Sequence, residues 1–311
     1  MTALSADPIC REHLTGRHHP ETPERFDAVV EALRDSGSFD RMLPVGSRAI
    51  TEEEMLLCHT SEYLRVAQRD VESGQAYLST GDTDIDGSSW RAAIHAAGGV
   101  LDAVDAVMDG RARNAFCAVR PPGHHATASR GMGFCLLNNI ALAARYAQRR
   151  HGVERVLIVD WDVHHGNGTQ EIFYRDPSVF FFSTHQWPLY PGTGRADETG
   201  AGAGQGTTMN FPFPAGSGRR EILSAVEDAL IPAANGFRPD LVLISAGFDS
   251  RIGDPLGRFT LTDEDFEDLT RRVMEMADRH AGGRLVSMLE GGYNIEGLAS
   301  AAAAHVKVLM G

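Results

Sequence analysis

The sequence lacks the features of a membrane-spanning, secreted or disulfide-bonded protein. It contains no run of about 18 consecutive apolar residues, so we predict no membrane-spanning helix. No basic stretch followed by an apolar one opens the chain, which argues against a secretory leader. The four cysteines form no C-x-x-C pair, and buried, reduced thiols are the expectation. We therefore expect a cytoplasmic protein that does not act at a membrane.

Basic residues are also scarce relative to acidic ones. The chain has 29 Lys and Arg against 42 Asp and Glu, and its formal net charge is -13 at pH 7. Proteins that bind nucleic acid need clustered basic side chains to neutralise phosphates, so this charge argues against a nucleic-acid partner. It suits a cationic substrate, although acidic surfaces also serve solubility alone.

No linker or internal repeat divides the 311 residues, of which 42% are hydrophobic. This length and composition are sufficient to bury one large core. The glycine-rich stretch at 200–206 lacks the Lys-Ser/Thr pair of a phosphate-binding loop and is predicted to be a simple connection. We predict a single domain covering residues 1–311.

Five short apolar runs are predicted to be strands that are buried on both faces. They are Ala115–Val119, Val156–Val159, Val179–Phe182, Leu241–Ile244 and Leu285–Leu289. Segments with helical periodicity separate many of them, at Phe26–Arg34, Arg91–Met108, Asn138–Arg150, Ile222–Asn235 and Glu264–His280. This alternation predicts an α/β fold with a mainly parallel sheet flanked by helices. At the start of the last helix, Thr262 is the predicted N-cap, with Asp265 as the acidic residue of the first turn.

A polar motif follows each of the five predicted strands. In chain order these motifs read RPPGHH, DWDVHHGNG, STH, SAGFDS and EGGY. Because the carboxyl ends of parallel strands converge on one edge of a sheet, where open α/β folds bind ligands, we expect the five motifs to meet in space.

The second motif contains a candidate metal site. Asp160, Asp162 and His164 alternate, and a backbone that stayed extended would point all three side chains to one face. A D-x-H pattern alone is more often a solvated loop, but Asp249 and the pair His124–His125 are expected at the same edge. Three protein ligands with one open position are typical of a catalytic metal site. The predicted ligands are Asp162, His164 and Asp249, which suit Zn²⁺ and, through their two carboxylates, also Fe²⁺, Mn²⁺ or Co²⁺.

Taken in order, the motifs resemble those of the histone deacetylase and acetylpolyamine amidohydrolase family. The matching segments are RPPGHHA at Arg120–Ala126, GFC at Gly133–Cys135, DWDVHHGNGTQ at Asp160–Gln170, PGTG at Pro191–Gly194, SAGFD at Ser245–Asp249 and EGGY at Glu290–Tyr293. HPETPERF at His19–Phe26 resembles the N-terminal motif of the family. A joint match in order is far more specific than any single motif. The resemblance implies the arginase/deacetylase fold, a single α/β domain with a mainly parallel sheet of about eight strands.

The resemblance further implies zinc-dependent hydrolysis of an acyl amide, with the zinc ligands on the three residues named above. His125 corresponds to the general base and acid, and His124 to a second histidine with a mainly electrostatic role. Asp160 would accept a hydrogen bond from His124, and Asn167 from His125, which would fix both tautomers. Asn167, where other members have Asp, resembles the class II branch and its bacterial relatives. Tyr293 would stabilise the tetrahedral oxyanion together with the metal.

Structural K⁺ or Na⁺ ions are also implied by the resemblance. One site would use Asp160, Asp162, His164, Ser183 and Thr184, and a second would use backbone carbonyls near Phe173, Asp176 and Val179. From the residues alone, a hydroxyl such as Ser183 is equally well explained as an ordinary strand-end side chain. Main-chain ligands leave little mark on a sequence.

A narrow acyl-lysine tunnel is implied as well. Gly133, Phe134 and Tyr190 resemble its wall, although simple core packing explains the two aromatic residues about as well. Arg25 is expected to line an internal pocket for the released carboxylate, or else to be a surface arginine in a salt bridge.

The resemblance implies one of two substrate classes, an acylated lysine in a protein or peptide or an acylated polyamine. Some polyamine-preferring relatives carry a Glu seven residues after the last metal-ligand Asp, where this chain has Leu256, which favours the acyl-lysine substrate. Asp82, Asp84 and Asp86 crowd an expected rim loop and keep the polyamine alternative open. A catalytically silent binding module is disfavoured by Tyr293, and an arginase-like ureohydrolase would need a second set of metal ligands. The acyl chain length and the formation of a homo-oligomer stay open.

Overall fold

The computed structural model describes residues 1–16 and 18–311, and its centre is one sheet of eight parallel strands in the order β2-β1-β3-β8-β7-β4-β5-β6. The strands are β1 Thr2–Ser5, β2 Leu43–Pro44, β3 Asn114–Cys117, β4 Val156–Asp160, β5 Val179–Gln186, β6 Thr208–Phe213, β7 Leu241–Ala246 and β8 Leu285–Leu289. The predicted α/β class with a parallel sheet flanked by helices is therefore confirmed.

Ten α-helices surround the sheet within these residues. They are α1 Glu24–Asp35, α2 Glu52–Met55, α3 Ser61–Glu72, α4 Ser89–Met108, α5 Asn139–His151, α6 Asn167–Phe173, α7 Arg219–Ser224, α8 Ile231–Phe237, α9 Asp263–His280 and α10 Ile295–Met310. A π-helical turn at Ala225–Leu230 joins α7 to α8. None of the helices in the described residues is both long enough and apolar enough to cross a bilayer.

The five predicted strands are β3, β4, β5, β7 and β8. They are adjacent to one another and form the centre of the sheet. Their side chains are buried on both faces, so nearly continuous apolar runs identify them. The prediction missed β1, β2 and β6. The first has the unremarkable sequence TALS, the second has only two residues, and β6 is a partly exposed edge strand that contains a proline.

The five predicted helical segments correspond to α1, α4, α5, the α7–α8 unit and α9, with Asn138 as the N-cap of α5. At the start of α9, the Asp265 carboxylate accepts a hydrogen bond from the Thr262 N–H at 2.9 Å, as a capping arrangement requires. The prediction missed α10, whose centre is a run of alanines rather than an amphipathic pattern, and which packs between α1 and α9. All four cysteines, each within the described residues, are unpaired and buried.

The register of the central strands determines where the polar motifs begin. Asp160, the last residue of β4, lies between Ser183 of β5 and Ser245 of β7. All strands run in the same direction, so the segments that follow β3, β4, β5, β7 and β8 leave the sheet at one edge.

A buried histidine beneath this edge makes the stability of the fold depend on pH. His305 of α10 is fully buried, and its two ring nitrogens lie 2.7 Å from the Thr270 hydroxyl and 2.8 Å from the Ser287 hydroxyl. Burial lowers the pKa of His305 to about 3. In the unfolded chain its pKa returns to about 6.5, so the unfolded state binds a proton between these two values and the folded state does not.

We expect this histidine to stabilise the folded state fully above about pH 6.5, and its contribution to fall as the pH decreases toward 3, by up to about 1.4 kcal/mol per pH unit. His305→Gln should therefore reduce the pH dependence of the free energy of unfolding between pH 6 and pH 4. Urea unfolding at several pH values measures this slope, and the same substitution at the exposed His18 serves as the control. An unchanged slope in His305→Gln would show that the folded protein accepts a proton at this position.

Candidate metal centre and active site

Three side chains at the shared strand edge form a compact group that can hold a metal ion. Asp162, His164 and Asp249 each offer one ligand atom, these atoms lie within 4.8 Å of one another, and all three residues are buried. His164 Nδ1 is 3.1 Å from an oxygen of Asp162 and 3.1 Å from an oxygen of Asp249. These three residues, which we call the Asp-His-Asp cluster, are the set that the sequence predicted.

The electrostatics of the Asp-His-Asp cluster fit a divalent cation. Burial and the neighbouring Asp162 carboxylate raise the pKa of Asp249 to about 7, because ionising two adjacent buried carboxylates without a counter-ion is energetically unfavourable. A cation that binds both carboxylates and the imidazole removes this conflict. The donor set of two oxygens and one nitrogen is compatible with zinc and with harder divalent ions.

The backbone that carries these ligands is not extended, and the prediction on this point was wrong. Strand β4 ends at Asp160, and the chain then turns. The Asp162 N–H donates to the Asp160 carboxylate at 3.1 Å, and the His164 N–H donates to Asp162 Oδ1 at 2.8 Å. Short acidic side chains commonly hold turns in this way. Asp160 lies outside the Asp-His-Asp cluster and faces His124 instead.

The tandem histidines stand beside the Asp-His-Asp cluster, each with its own partner. His124 Nδ1 donates to Asp160 Oδ2 at 2.9 Å, and His125 Nδ1 donates to Asn167 Oδ1 at 2.8 Å. The two ring centroids are 4.0 Å apart. With the proton of His125 on Nδ1, its Nε2 carries the free lone pair, which is the state that a general base requires.

The pKa values of the two histidines shift in opposite directions. Burial alone would lower the pKa of His124, but the carboxylates of Asp160 and Asp162 outweigh burial and raise it to about 10. Burial, followed by the neighbouring imidazoles of His124 and His164, lowers the pKa of His125 well below its ordinary value. Near neutral pH, the first histidine is therefore a cation and the second is a neutral base.

The segment after β8 contributes a buried carboxylate to the site. Glu290 is fully buried, and its carboxylate accepts hydrogen bonds from the N–H of Gly123 at 2.7 Å, the N–H of His124 at 3.1 Å and the Ser245 hydroxyl at 2.9 Å. It thus fixes the loop that carries the histidines. Sequence reasoning assigned no task to Glu290, although the residue lies within a quoted motif.

Gly291 approaches the Asp-His-Asp cluster more closely than any side chain would allow. Its N–H donates to Asp162 Oδ2 at 2.8 Å. A Cβ atom at this position would lie 2.1 Å from Asp249 Oδ2 and 2.6 Å from Asp162 Oδ2. The glycine is therefore required by contact with the two carboxylates.

A cavity of about 290 Å³ opens onto these groups. The residues predicted for the tunnel wall, Gly133, Phe134 and Tyr190, and the predicted substrate-selecting residue Leu256 all line it. The complete lining is Asp82, His125, Gly133, Phe134, His164, Leu189, Tyr190, Leu256 and Tyr293. Asp82 also connects two other lining residues, because its Oδ1 accepts hydrogen bonds from the Gly133 N–H at 2.8 Å and the Tyr190 hydroxyl at 3.2 Å. Of the three aspartates expected at the rim, only Asp82 lines the cavity.

The phenol of Tyr293 keeps its proton at neutral pH. Burial raises the pKa of Tyr293 well above its ordinary value, although the Arg25 guanidinium opposes this effect. The hydroxyl is therefore a hydrogen-bond donor. The ring packs edge to face against Phe134, with the centroids 5.9 Å apart.

Arg25 lies beneath Tyr293 and does not line the cavity. It is fully buried, so the alternative of a surface arginine is wrong. Its guanidinium stacks 4.9 Å from the centre of the Tyr293 ring, donates to the Gly292 carbonyl at 2.6 Å and pairs with Glu21 at 2.8 Å. Glu21 also accepts hydrogen bonds from Arg120, at 2.5 and 2.6 Å. This buried salt bridge was not predicted, although HPETPERF contains both Glu21 and Arg25.

The residues predicted to hold monovalent cations lie in two places beside β5. Ser183 and Thr184 are buried next to Asp160, and the Ser183 hydroxyl is 2.9 Å from His185 Nδ1. In the second set, the Asp176 N–H donates to the Phe173 carbonyl at 2.9 Å, and Val179 begins β5. The Arg145 guanidinium pairs with the Asp176 carboxylate at 2.5 Å.

Comparison with known proteins gives consistent matches over nearly the whole chain. A family model described as the histone deacetylase domain matches residues 19–309. A probable deacetylase of Archaeoglobus fulgidus is 42% identical over 288 residues, which are 92% of this chain and 79% of that protein. Histone deacetylase 15 of Arabidopsis thaliana is 43% identical, over 94% of this chain and 53% of that protein.

A human relative, polyamine deacetylase HDAC10 of Homo sapiens, is 41% identical over 94% of this chain and 44% of its own length. The chain thus spans about half the length of the plant and human relatives. The crystal structure of the HDA15 HD domain superimposes with a TM-score of 0.93 at 41% identity, and covers 100% of this chain and 91% of that one.

The close approach of Gly291 leads to a prediction about metal binding. We expect Gly291→Ala to push the two carboxylates apart and to weaken Zn²⁺ binding by about 10- to 100-fold, the range typical of disturbed ligand surroundings. Competition with a chromophoric chelator measures the dissociation constant. Gly236→Ala is the matched control, because a Cβ there meets no atom within 4 Å. Equal zinc affinity in Gly291→Ala and wild type would show that the Asp-His-Asp cluster is not the metal site.

Proposed function

Because the chain belongs to the histone deacetylase family, we propose that it is a zinc-dependent deacetylase that hydrolyses the acyl amide of acyl-lysine in proteins or peptides. The products are a carboxylate and a free amine. The observation that carries this proposal is the meeting of the Asp-His-Asp cluster, His125 and Tyr293 at one narrow apolar cavity.

Zinc would be held by Asp162, His164 and Asp249. When bound there, a divalent cation supplies Lewis-acid polarisation of a carbonyl and lowers the pKa of a water molecule. Iron(II), manganese and cobalt are alternatives with the same donor set. We also propose that K⁺ or Na⁺ serves as a structural ion at the two sets of residues beside β5.

His125 would move the protons of the reaction. Its Nε2 takes a proton from the attacking water, and the same proton then passes to the nitrogen of the leaving amine, so the imidazole ends neutral, as it began. The hydrogen bond from Nδ1 to Asn167 at 2.8 Å keeps the lone pair on Nε2 directed away from that amide. The cationic His124 next to it favours the negative charge that develops on the substrate oxygen.

Tyr293 would donate its hydroxyl proton in a hydrogen bond to that oxygen. An oxyanion-hole donor is effective when it is already oriented and remains protonated, and the raised pKa of Tyr293 meets the second condition. The apolar walls at Phe134, Tyr190 and Leu256 suit the methylene groups of a lysine side chain.

A second substrate class, acylated polyamines, has two observations in its favour. One of the relatives is the human polyamine deacetylase HDAC10, and this chain has a net charge of -13 with Asp82 at the cavity. Against it, Leu256 presents no charge to the distal ammonium of a polyamine. We therefore place acyl-lysine first.

The test is an assay of the zinc-loaded enzyme against acetyl-lysine peptides, longer acyl-lysine peptides and acetylated polyamines. We expect hydrolysis that stops on chelation and returns with zinc.

Tyr293→Phe retains the ring and deletes one donor, so turnover should fall by about 100- to 1,000-fold with metal content and thermal stability little changed. Full activity in the metal-free protein, or a loss below about fivefold in Tyr293→Phe, would contradict the mechanism.

Leu256 provides a separate test of the substrate order. We expect Leu256→Glu to raise the ratio of acetylpolyamine to acetyl-lysine peptide turnover by about tenfold or more, because the new carboxylate can pair with a distal ammonium. Leu256→Gln has a similar shape without the charge and is the control. A wild-type enzyme that already strongly prefers acetylpolyamines would reverse the order of the two substrate classes.

A further inference from the structure

Asp254 is a nearly buried carboxylate for which the proposed mechanism has no task, and it is only 7% exposed. It lies in the loop that runs from Asp249 to Leu256. Its Oδ2 accepts hydrogen bonds from the N–H of Tyr293 at 2.7 Å and the N–H of Asn294 at 3.1 Å. Its Oδ1 accepts a hydrogen bond from the Leu256 N–H at 2.9 Å.

These hydrogen bonds join two segments that meet at the cavity. One segment, after β7, supplies the wall residue Leu256, and the other, after β8, supplies Tyr293, which also lines the cavity. The Asp254 carboxylate therefore ties the two segments together, and a hydrogen bond from the Asn294 side-chain amide to the Gly253 carbonyl at 3.1 Å adds a second link. Among the described residues, Asp254 makes no ion pair, so backbone N–H groups are its partners.

The backbone before Tyr293 has little to hold it except hydrogen bonds. It passes through two glycines, and Gly292 has a φ of +123°, a conformation that favours glycine. Arg25 holds the carbonyl of Gly292 at 2.6 Å and that of Glu290 at 2.5 Å. These contacts fix the carbonyl groups of the segment. The N–H groups of Tyr293 and Asn294 are bound by Asp254 instead.

We propose that Asp254 is a positioning residue that holds the Tyr293 hydroxyl in place for the reaction and sets the cavity wall at Leu256. The inference rests on the proposed function, in which Tyr293 donates to the oxygen of the reacting carbonyl. Oxyanion donors act through their orientation, so a shift of the Tyr293 backbone weakens the donor without removing it.

A purely structural role is the alternative, because Asn294 is also the N-cap of α10, where its Oδ1 accepts from the Gly297 N–H at 3.1 Å. A structural role predicts a loss of stability, and an activity loss that does not depend on the Tyr293 hydroxyl. A double-mutant cycle between Asp254 and Tyr293 separates the two roles.

The experiment compares wild type, Asp254→Asn, Tyr293→Phe and the double variant, all loaded with zinc, on one acetyl-lysine peptide. We expect Asp254→Asn alone to lower kcat by about tenfold or more with a smaller change in KM, since misplacement by about 1 Å can cost about 100-fold. In the Tyr293→Phe background the same substitution should change kcat by less than about twofold, because the donor that it misplaces is already absent. Zinc content and Tm are measured for every variant.

The control is Asp265→Asn, which removes another nearly buried carboxylate that accepts a backbone N–H at the start of a helix and has Thr262 and Arg219 as its partners. We expect it to lower Tm without changing kcat. If Asp254→Asn does not fold, Asp254→Glu keeps the charge and the acceptors but moves them by one methylene, and it enters the same cycle with the same expected result.

Two outcomes overturn the inference. If Asp254→Asn lowers kcat by the same factor in both backgrounds, or leaves kcat unchanged, Asp254 does not act through the Tyr293 hydroxyl. If zinc-loaded wild type hydrolyses neither acyl-lysine peptides nor acetylpolyamines, the proposed function fails and the role of Asp254 fails with it. If wild type is active and the effects of the two substitutions on kcat are additive, the role of Asp254 is rejected while the proposed function stands.

Discussion

Four buried carboxylates at one edge of the sheet are the constraint on which the rest of the site depends. Asp160, Asp162, Asp249 and Glu290 are all fully buried. Burying an ionised carboxylate without partners is strongly unfavourable, so each must receive hydrogen bonds or a cation. Backbone N–H groups supply many of them, including Gly291 to Asp162, Val163 to Asp249 and Gly123 to Glu290. The loops at the edge are therefore shaped around the acids, which in turn hold the histidines and the metal ligands.

This constraint also explains why glycine occurs where the chain approaches an acid. A Cβ at Gly247 would lie 2.1 Å from Asp162 Oδ2, and one at Gly166 would lie 2.2 Å from Asp160 Oδ2. Together with Gly291, these residues let three separate loops approach the carboxylates closely. Motifs such as SAGFD, HHGNG and EGGY thus pair an acid or an imidazole with the glycine that makes room for it.

The sequence predicts the features that depend on local pattern, and it misses those that depend on distant backbone. The central strands are apolar on both faces and were recognisable. The sequence TALS has no such pattern, and it forms β1 by pairing with β2 and β3. Asp162, His164 and Asp249 could be grouped because strand ends converge. Asp254 could not be assigned a task, since two of its three partners are N–H groups about forty positions away, and almost any residue could supply them. The extended backbone expected after Asp160 was wrong because nearby carboxylates favour turns.

The same buried acids account for the different states of two adjacent histidines. Of the two imidazoles, Asp160 hydrogen-bonds only that of His124, and its charge, together with that of Asp162, raises the pKa of His124 to about 10 despite burial. His125 faces a neutral amide, that of Asn167, so burial and the charge of His124 act on it without a compensating carboxylate contact and lower its pKa. An aspartate in place of Asn167 would raise the pKa of His125 and make the neutral base scarcer at a given pH. The amide therefore orients the ring without adding charge, and burial together with the charge of His124 keeps the proton-transfer residue neutral.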